Sequence, residues 1–224
     1  PSTAGEILKR GGLVRPRRRK HRTPPYPVPL IEGIRVNEVW SADFKGQFRT
    51  GDGKLCYPLT ITDNPSRYLL LCRGLSRPTF EETQPWFERV FWEYGLPEAI
   101  RTDNGAPFAS VGPGGLSKLS IWFIKLGIWP ERIEPAHPEQ NGRHERMHRS
   151  LKEATANPPR DNMLMQQQAF DEFVQEYNFQ RPHEALEQRT PATVYQPSER
   201  THPAKILEVE YDEDVIVRRV RHNG

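Results

Sequence analysis

The sequence predicts an α/β fold: a mixed β-sheet covered by helices, with extended segments at both ends of the chain. Three observations carry this. The runs NEVWSADFKGQF, LCYPLTIT and RYLLLCRGL are strand-like and separated by the turn sequences GDGK and DNPS, which makes a three-stranded antiparallel meander. Beyond residue 78, helical apolar stripes alternate with short strand-like runs, the pattern of a sheet with crossover helices. At 224 residues the chain is long enough to bury a core of ordinary size.

Taken in order, STAGEILKRGGL reads as a short helix capped by Ser2 or Thr3, with Ile7, Leu8 and Leu13 apolar. Four prolines in TPPYPVPL forbid helix and predict an extended linker, so a boundary falls near residue 30. In the first strand Trp40, Ala42 and Phe44 share one face, and Ser41, Asp43 and Lys45 share the other. Pro58 predicts an edge position or a bulge for the second strand. Phe80, Thr83, Phe87, Val90, Phe91 and Tyr94 form one helical stripe. It starts either at a Thr79–Glu82 capping box or, to accommodate Pro85, at Thr83.

EAIRTDNG is a short strand ending at Asp103. Leu116, Leu119, Phe123 and Leu126 mark a helix stopped at Gly127, and IWPERIEPA reads as a fifth strand or an extended arm. Asn141 caps a helix whose stripe is Met147, Leu151 and Ala154, broken by NPPRDN. Phe170, Phe173, Val174 and Tyr177 mark the last helix. The remainder is proline-rich and polar until the strand-like ILEVEYDEDVIVRRV.

Charge is unevenly placed. The chain carries +3 overall, yet residues 1–30 hold eight Lys or Arg against Glu6, so the rest is net acidic. The positive block is RPRRRKHR, with Arg15, Arg17, Arg18, Arg19, Lys20 and Arg22, and such a block suits polyanions. If its neighbourhood's eight cations each met a phosphate, log K would fall with log salt at a slope of about −7. Mean hydropathy is −0.77, and no apolar run approaches the roughly 20 residues of a membrane span. Cys56 and Cys72 form no CxxC pair and no zinc set with the histidines, and they read as buried reduced thiols of a cytoplasmic protein.

Three acids stand out. Asp43 lies mid-strand, where Asp is depleted. Asp103 lies at the C-terminal end of a strand, where α/β sheets place their sites. Glu145 points away from the apolar stripe of its helix, on one face with Arg149 and Lys152, where an ordinary Glu–Arg pair is worth only about 0.3–0.5 kcal/mol. Glu139, before the Asn141 cap, and Asp63, opening the DNPS turn, read as loop and turn residues. His144 and His148 stand at i, i+4 with no third metal ligand evident, so they read as surface or DNA-facing residues.

Together VWSADFKG, RTDNGAPF, HPEQNGRHERMHRSLK and YNFQRPHEALEQRTPATVY resemble the catalytic core of DDE transposases and retroviral-type integrases, and more narrowly bacterial insertion-sequence transposases. The resemblance covers roughly residues 36–195. The family's glutamate follows a Pro-x-x-Asn-Gly segment by three residues, here Pro138, Asn141, Gly142 and then Glu145. The separation usual in retroviral members, counted from Asp103, lands on Glu139 instead. The local motif decides for Glu145, and the glycine-rich VGPGG supplies room for the extra residues.

The resemblance implies a ribonuclease-H-like sheet whose acids Asp43, Asp103 and Glu145 bind divalent metal. Carboxylates about 4 Å apart repel by about 4 kcal/mol at an effective dielectric near 20, so they stay ionised together only beside cations. Hard oxygen ligands select Mg²⁺ or Mn²⁺. Two ions are expected, Asp43 bridging both while Asp103 and Glu145 hold one each, as a clamp for in-line phosphoryl displacement. Water would cut the ends of the element, its terminal inverted repeats, and the freed 3′-hydroxyl would attack target DNA. Arg143, Arg149 and Lys152 would neutralise nearby phosphates, as would the basic block.

The same resemblance gives a domain expectation. Residues 1–30 are the end of a helix-turn-helix DNA-binding domain with a basic, proline-rich linker. Residues 31–195 are the catalytic core, and 196–224 are a linker and the start of a truncated C-terminal β domain. Partners are double-stranded DNA and further copies of the chain, with no membrane, in the bacterial cytoplasm at the nucleoid. The alternatives are a ribonuclease-H-type nuclease that cuts without joining and a domesticated protein that only binds DNA.

Overall fold

The computed structural model describes residues 28–133 and 142–206, the side chains of Pro113 and Arg143 excepted. The basic block Arg15–Arg22, the short N-terminal helix, Glu139, the Asn141 cap and the strand-like tail beyond residue 206 lie outside the described residues.

Six strands form one mixed sheet. β1 (Val39–Phe44), β3 (Leu55–Asp63) and β4 (Leu69–Leu75) are the expected antiparallel meander. A two-residue strand the sequence did not announce, β2 (Phe48–Arg49), pairs with the start of β3. β5 (Ala99–Thr102) and β6 (Trp129–Arg132) then add parallel to β1. IWPERIEPA is therefore a strand, not an arm.

One sequence expectation is corrected here, and one pair of alternatives is settled. β3 is interior, between β1 and β4, and its irregularity lies at Ile61/Thr62 and not at Pro58. Pro58 is tolerated because it stands opposite Lys45, one step past the last residue of β1. Its carbonyl accepts from Lys45 N at 2.9 Å, and its missing N–H falls where the ladder has ended. Helix α1 (Phe80–Tyr94) begins at Thr79, not Thr83, and carries Pro85 inside it on its exposed side. The Thr79 side chain accepts from Glu82 N, but the Glu82 carboxylate turns away to accept from Ser76 and Arg77, so the capping box is half formed.

Helix α2 (Lys118–Lys125) starts after Leu116, because Ser117 and Ser120 close a reciprocal capping box there. Gly127 takes the left-handed conformation expected of a helix stop, φ 69°. Helices α1 and α2 cover one face of the sheet. Trp40, Phe87, Phe91 and Phe123 form the centre of that core, and all are essentially buried.

The other face is covered by α3 (Gly142–Thr155) and α4 (Met163–Phe179), with Met147, Leu151, Phe170 and Phe173 packed on Cys56, Leu69 and Cys72. Both cysteines are free and buried, and burial pushes the Cys56 thiol up to about 12, so neither is a ready nucleophile. Among the described residues β4 has no strand on its outer side. There α4 supplies side-chain amides: Asn178 both accepts from Leu69 N and donates to Leu69 O, and Gln167 does the same for Gly74 N and Cys72 O. The edge is thus occupied by the chain's own groups. Among the described residues no helix is long and apolar enough to cross a membrane.

Candidate active site

The parallel register of β1 and β5 sets the site. Ser41 stands opposite Arg101, and continuing by two residues sets Asp43 opposite Asp103, on the same face of neighbouring strands at their C-terminal ends. Adjacent strands run about 4.8 Å apart. Two carboxylates are therefore held side by side by backbone pairing alone. Their electrostatics agree. Burial, and next the neighbouring Asp103, raise the Asp43 carboxyl to about 7, with Glu145 adding in the same direction. Burial also raises Asp103, against the pull of the Gly105 N–H that donates to Oδ1 at 3.0 Å. A Cβ on Gly105 would stand 2.9 Å from Asp103 Oδ2, so any other residue there would push the carboxylate aside.

Helix α3 brings the third acid. Glu145 lies exposed in its first turn and lines, with Asp43, Lys45, His148 and Lys152, one open cavity of about 490 Å³. Asp103 does not line that cavity; strand register and the charge that helps raise the Asp43 carboxyl tie it to Asp43. Arg149 and Lys152 are exposed, on the same side of α3 as Glu145. The Arg143 side chain lies outside the described residues.

Two expectations on α3 are overturned. Ala154 is exposed, and Thr155 takes its place in the stripe. His144 and His148 are not surface residues; both are 2 % exposed, on the buried face with Met147 and Leu151. Thr60 Oγ1 lies 2.8 Å from His144 Nε2 and 2.6 Å from His148 Nε2, and Thr62 Oγ1 lies 2.9 Å from His144 Nδ1. Thr60 is the β3 partner of Asp43. The histidine pair therefore pins α3 over the strand residue next to Asp43, which is how Glu145 comes to the cavity. The sequence signal was there: His144, Met147, His148, Leu151 and Thr155 stand at i, i+3, i+4, i+7 and i+11, which is the stripe itself.

Asp43, His144 and His148 each offer an atom within 4.8 Å of the others, a geometry open to a metal ion. Their hydrogen bonds favour a different role. A threonine hydroxyl has one proton to give, so at least one of the two Nε2 atoms has to carry a proton and donate to Thr60. His148 Nδ1 stands 3.7 Å from Asp43 Oδ2, too long for a hydrogen bond, and the ring is neutral, so the contact is no ion pair. Burial first, then the positive charge of Lys45, lowers His144 to about 3, and burial lowers His148 further.

This has a measurable consequence. The unfolded chain protonates both rings as pH falls through about 6.5 while the folded chain does not. The stability they allow is thus present above 6.5 and lost below it, by up to about 1.4 kcal/mol per pH unit per ring. His148→Gln is expected to flatten the dependence of urea-unfolding free energy on pH between about 6.5 and 5 by up to one such increment. An unchanged slope would count against a buried neutral ring.

Asp63, by contrast, has its partners at home. Its carboxylate accepts from Asn37 N and Ser66 N, which closes the β3–β4 turn. The C-terminal segment also packs back on the core: Tyr195 stacks on Tyr68 at 4.4 Å, and Arg200 donates to the carbonyls of Pro97 and Gly127.

Two models of the integrase core domain match this chain, one over residues 34–138 and one over residues 126–191, together spanning both strand acids and α3. The chain belongs to the integrase core family. An uncharacterised 31.7 kDa protein of insertion element IS407 from Burkholderia multivorans is 28% identical over 160 residues, 70% of this chain and 54% of that protein. The uncharacterised protein K02A2.6 of Caenorhabditis elegans is 29% identical over 170 residues, 75% of this chain and 12% of that one. The chain thus spans at most about half the length of these relatives.

In structure the integrase core is similar to the magnesium-bound catalytic core of HTLV-2 integrase (TM-score 0.56, 16% identity, 74% of this chain and 100% of that one). It is also similar to a chain of the simian T-cell lymphotropic virus intasome in complex with the PP2A subunit B56 gamma (TM-score 0.61, 19% identity, 90% and 66%). The fold is the ribonuclease-H-like sheet expected from the sequence.

Proposed function

We infer that this integrase core is the catalytic part of a DNA transposase, a polynucleotidyl transferase that cuts element ends and joins their 3′-hydroxyls to target DNA with divalent metal, Mg²⁺ or Mn²⁺. One observation carries the reading: the sheet register sets Asp43 beside Asp103 while α3 adds Glu145 within electrostatic reach of Asp43. The kinship with an insertion-element protein supports it.

The residues fit a hard cation. Asp43 and Asp103 are crowded and partly buried, burial raises both carboxyls, Asp103 adds to the rise at Asp43, and their donors are oxygens. The HTLV-2 integrase core, whose fold this chain shares, was solved with magnesium. Bound between these carboxylates, two divalent ions would supply Lewis-acid polarisation of the scissile phosphate and a more acidic attacking hydroxyl. Asp43, within electrostatic reach of both other acids, would be a ligand to both ions, and Asp103 and Glu145 would each hold one. Lys45, Arg149 and Lys152 sit where they offset phosphate charge near that point, and such contacts give position and affinity, not sequence. Arg143 and the block Arg15, Arg17, Arg18, Arg19, Lys20 and Arg22 extend the DNA contact. The chain acts as an oligomer, since two ends are joined together, on the bacterial nucleoid.

Metal has to displace the proton that Asp43 holds below pH 7. Mg²⁺ affinity is therefore expected to fall by up to about tenfold for each pH unit below 7, with proton release seen by titration calorimetry in buffers of different ionisation heat. Heats independent of buffer at pH 6 would count against Asp43 as a ligand. The activity itself is tested by incubating the chain with a labelled duplex of the element's end and a plasmid target in Mg²⁺. Joined product is expected; cleavage alone would leave a nuclease.

A further inference from the structure

A second concavity of about 490 Å³ lies beside the first, round the flank of α3. Its walls hold Arg67 from the β3–β4 turn, Arg146 and Ser150 from α3, Tyr177 from α4, and Arg181 and His183 from the RPH segment that follows. The three arginines come from three separate parts of the chain and converge. All of them bear on the Tyr177 hydroxyl, which burial nonetheless raises to about 12. The Arg181 guanidinium lies 5.9 Å from the Tyr177 ring, and Arg67 is fixed by donating to Asn64 O at 2.6 Å. His183 adds no charge, because burial and then the nearby Arg181 and Arg67 lower it, and its Nε2 is buried with no hydrogen-bond partner.

One acid, exposed Glu184, stands at this wall against three guanidiniums. Neither Arg146 nor Arg181 forms an ion pair with a carboxylate among the described residues. Like charges gathered this way repel, and an anion with several oxygens relieves them. Guanidinium forks match phosphate oxygens in geometry as well as charge. Arg146 follows Glu145 directly, about 100° further round the helix, so the pocket opens on the flank of α3 next to the cavity that Glu145 lines.

We propose that the Arg67–Arg146–Arg181 pocket binds a backbone phosphate of the DNA strand being processed, near the bond that is cut. This rests on the transposase reading. The pocket holds the strand by charge while the acids act on it, and it gives the RPH segment a role the carboxylate site leaves open.

The test is binding of the full chain to a labelled random duplex of about 20 base pairs, without metal, across a salt series. Arg146→Gln and Arg181→Gln are each expected to reduce the slope of log K against log salt by about 0.9, and the double variant by about 1.8. Lys118→Gln, on exposed α2 surface, is expected to reduce it by less. Melting temperatures verify folding, and Arg146, exposed on a helix, serves alone if the Arg181 variant misfolds. Slopes like the wild type's in both variants would overturn the pocket while a positive joining assay left the transposase reading standing. A wild-type chain that binds no DNA overturns both. Inorganic phosphate that raises the melting temperature of the wild type but not of Arg181→Gln, with DNA slopes unaltered, would assign the pocket to free phosphate and overturn the DNA proposal.

Discussion

Asn in place of Asp43 is expected to lower Mg²⁺-dependent cleavage and joining by about a thousandfold or more, while making the metal-free chain more stable at pH 8. The two halves have one cause. Asp43 is mid-sheet, beside Asp103, and its carboxyl is raised to about 7. At pH 8 the folded chain holds a charge there that it would rather not hold. The sign follows: a carboxyl raised on folding favours the fold below about pH 4, and that advantage is lost as pH rises through 7. Asparagine carries no charge to desolvate, so the penalty goes. The same carboxylate is what a divalent ion needs, and loss of about 4 kcal/mol of transition-state stabilisation is about a thousandfold in rate. Glu145→Gln is expected to lose comparable activity with no gain in stability, since Glu145 is exposed. Melting curves and a joining assay read both quantities. Loss of activity accompanied by loss of stability would make Asp43 a structural residue and sink its assignment.

The placing of two acids on neighbouring strands was legible in the sequence: Asp43 stands mid-strand, where Asp is depleted, and Asp103 follows a short strand-like run. The meander, the helical stripes and the left-handed stop at Gly127 were legible for the complementary reason: local preference and global fold agree there. β2 was not, since two residues cannot display a period. The role of Pro58 was not, because whether its missing N–H matters depends on where the partner strand ends.

The buried place of the histidines is not legible, for a physical reason. Met147 and Leu151 display the apolar stripe, and residue type alone puts His144 and His148 outward. On this helix the buried face is completed by polar side chains that find polar partners, Thr60 and Thr62, on an interior strand. Sequence spacing marks the face; it does not disclose the partner. The arginine pocket is of the same kind, since Arg67, Arg146 and Arg181 are far apart in the chain and only the packing of α3 and α4 on β3 and β4 collects them.

Glu131 was also invisible, one charge among several in IWPERIEPA, yet its removal is expected to be among the most destabilising single changes in the chain. Its side chain is fully buried. Arg101, its register partner on β5, donates to Glu131 Oε2 through Nε at 3.0 Å and lies 2.9 Å away through Nη2. Glu131 Oε1 accepts from Ile31 N at 2.6 Å, and Arg101 donates to Ile31 O, so the pair ties the incoming segment to both strands. Glu131→Ala leaves a guanidinium buried without its carboxylate, which costs about 3–5 kcal/mol. In a chain of this size that is roughly 10 °C in melting temperature. Replacing both partners by apolar residues, Arg101→Met with Glu131→Leu, is expected to cost much less, because no charge is stranded. Arg101 lies two residues before Asp103. The single variant is therefore also expected to lose joining beyond what its folded fraction explains, as the end of β5 loosens under the acid it carries. A Glu131→Ala chain with wild-type melting behaviour would mean that water reaches Arg101 and that the pair is not what fixes β5 against β6.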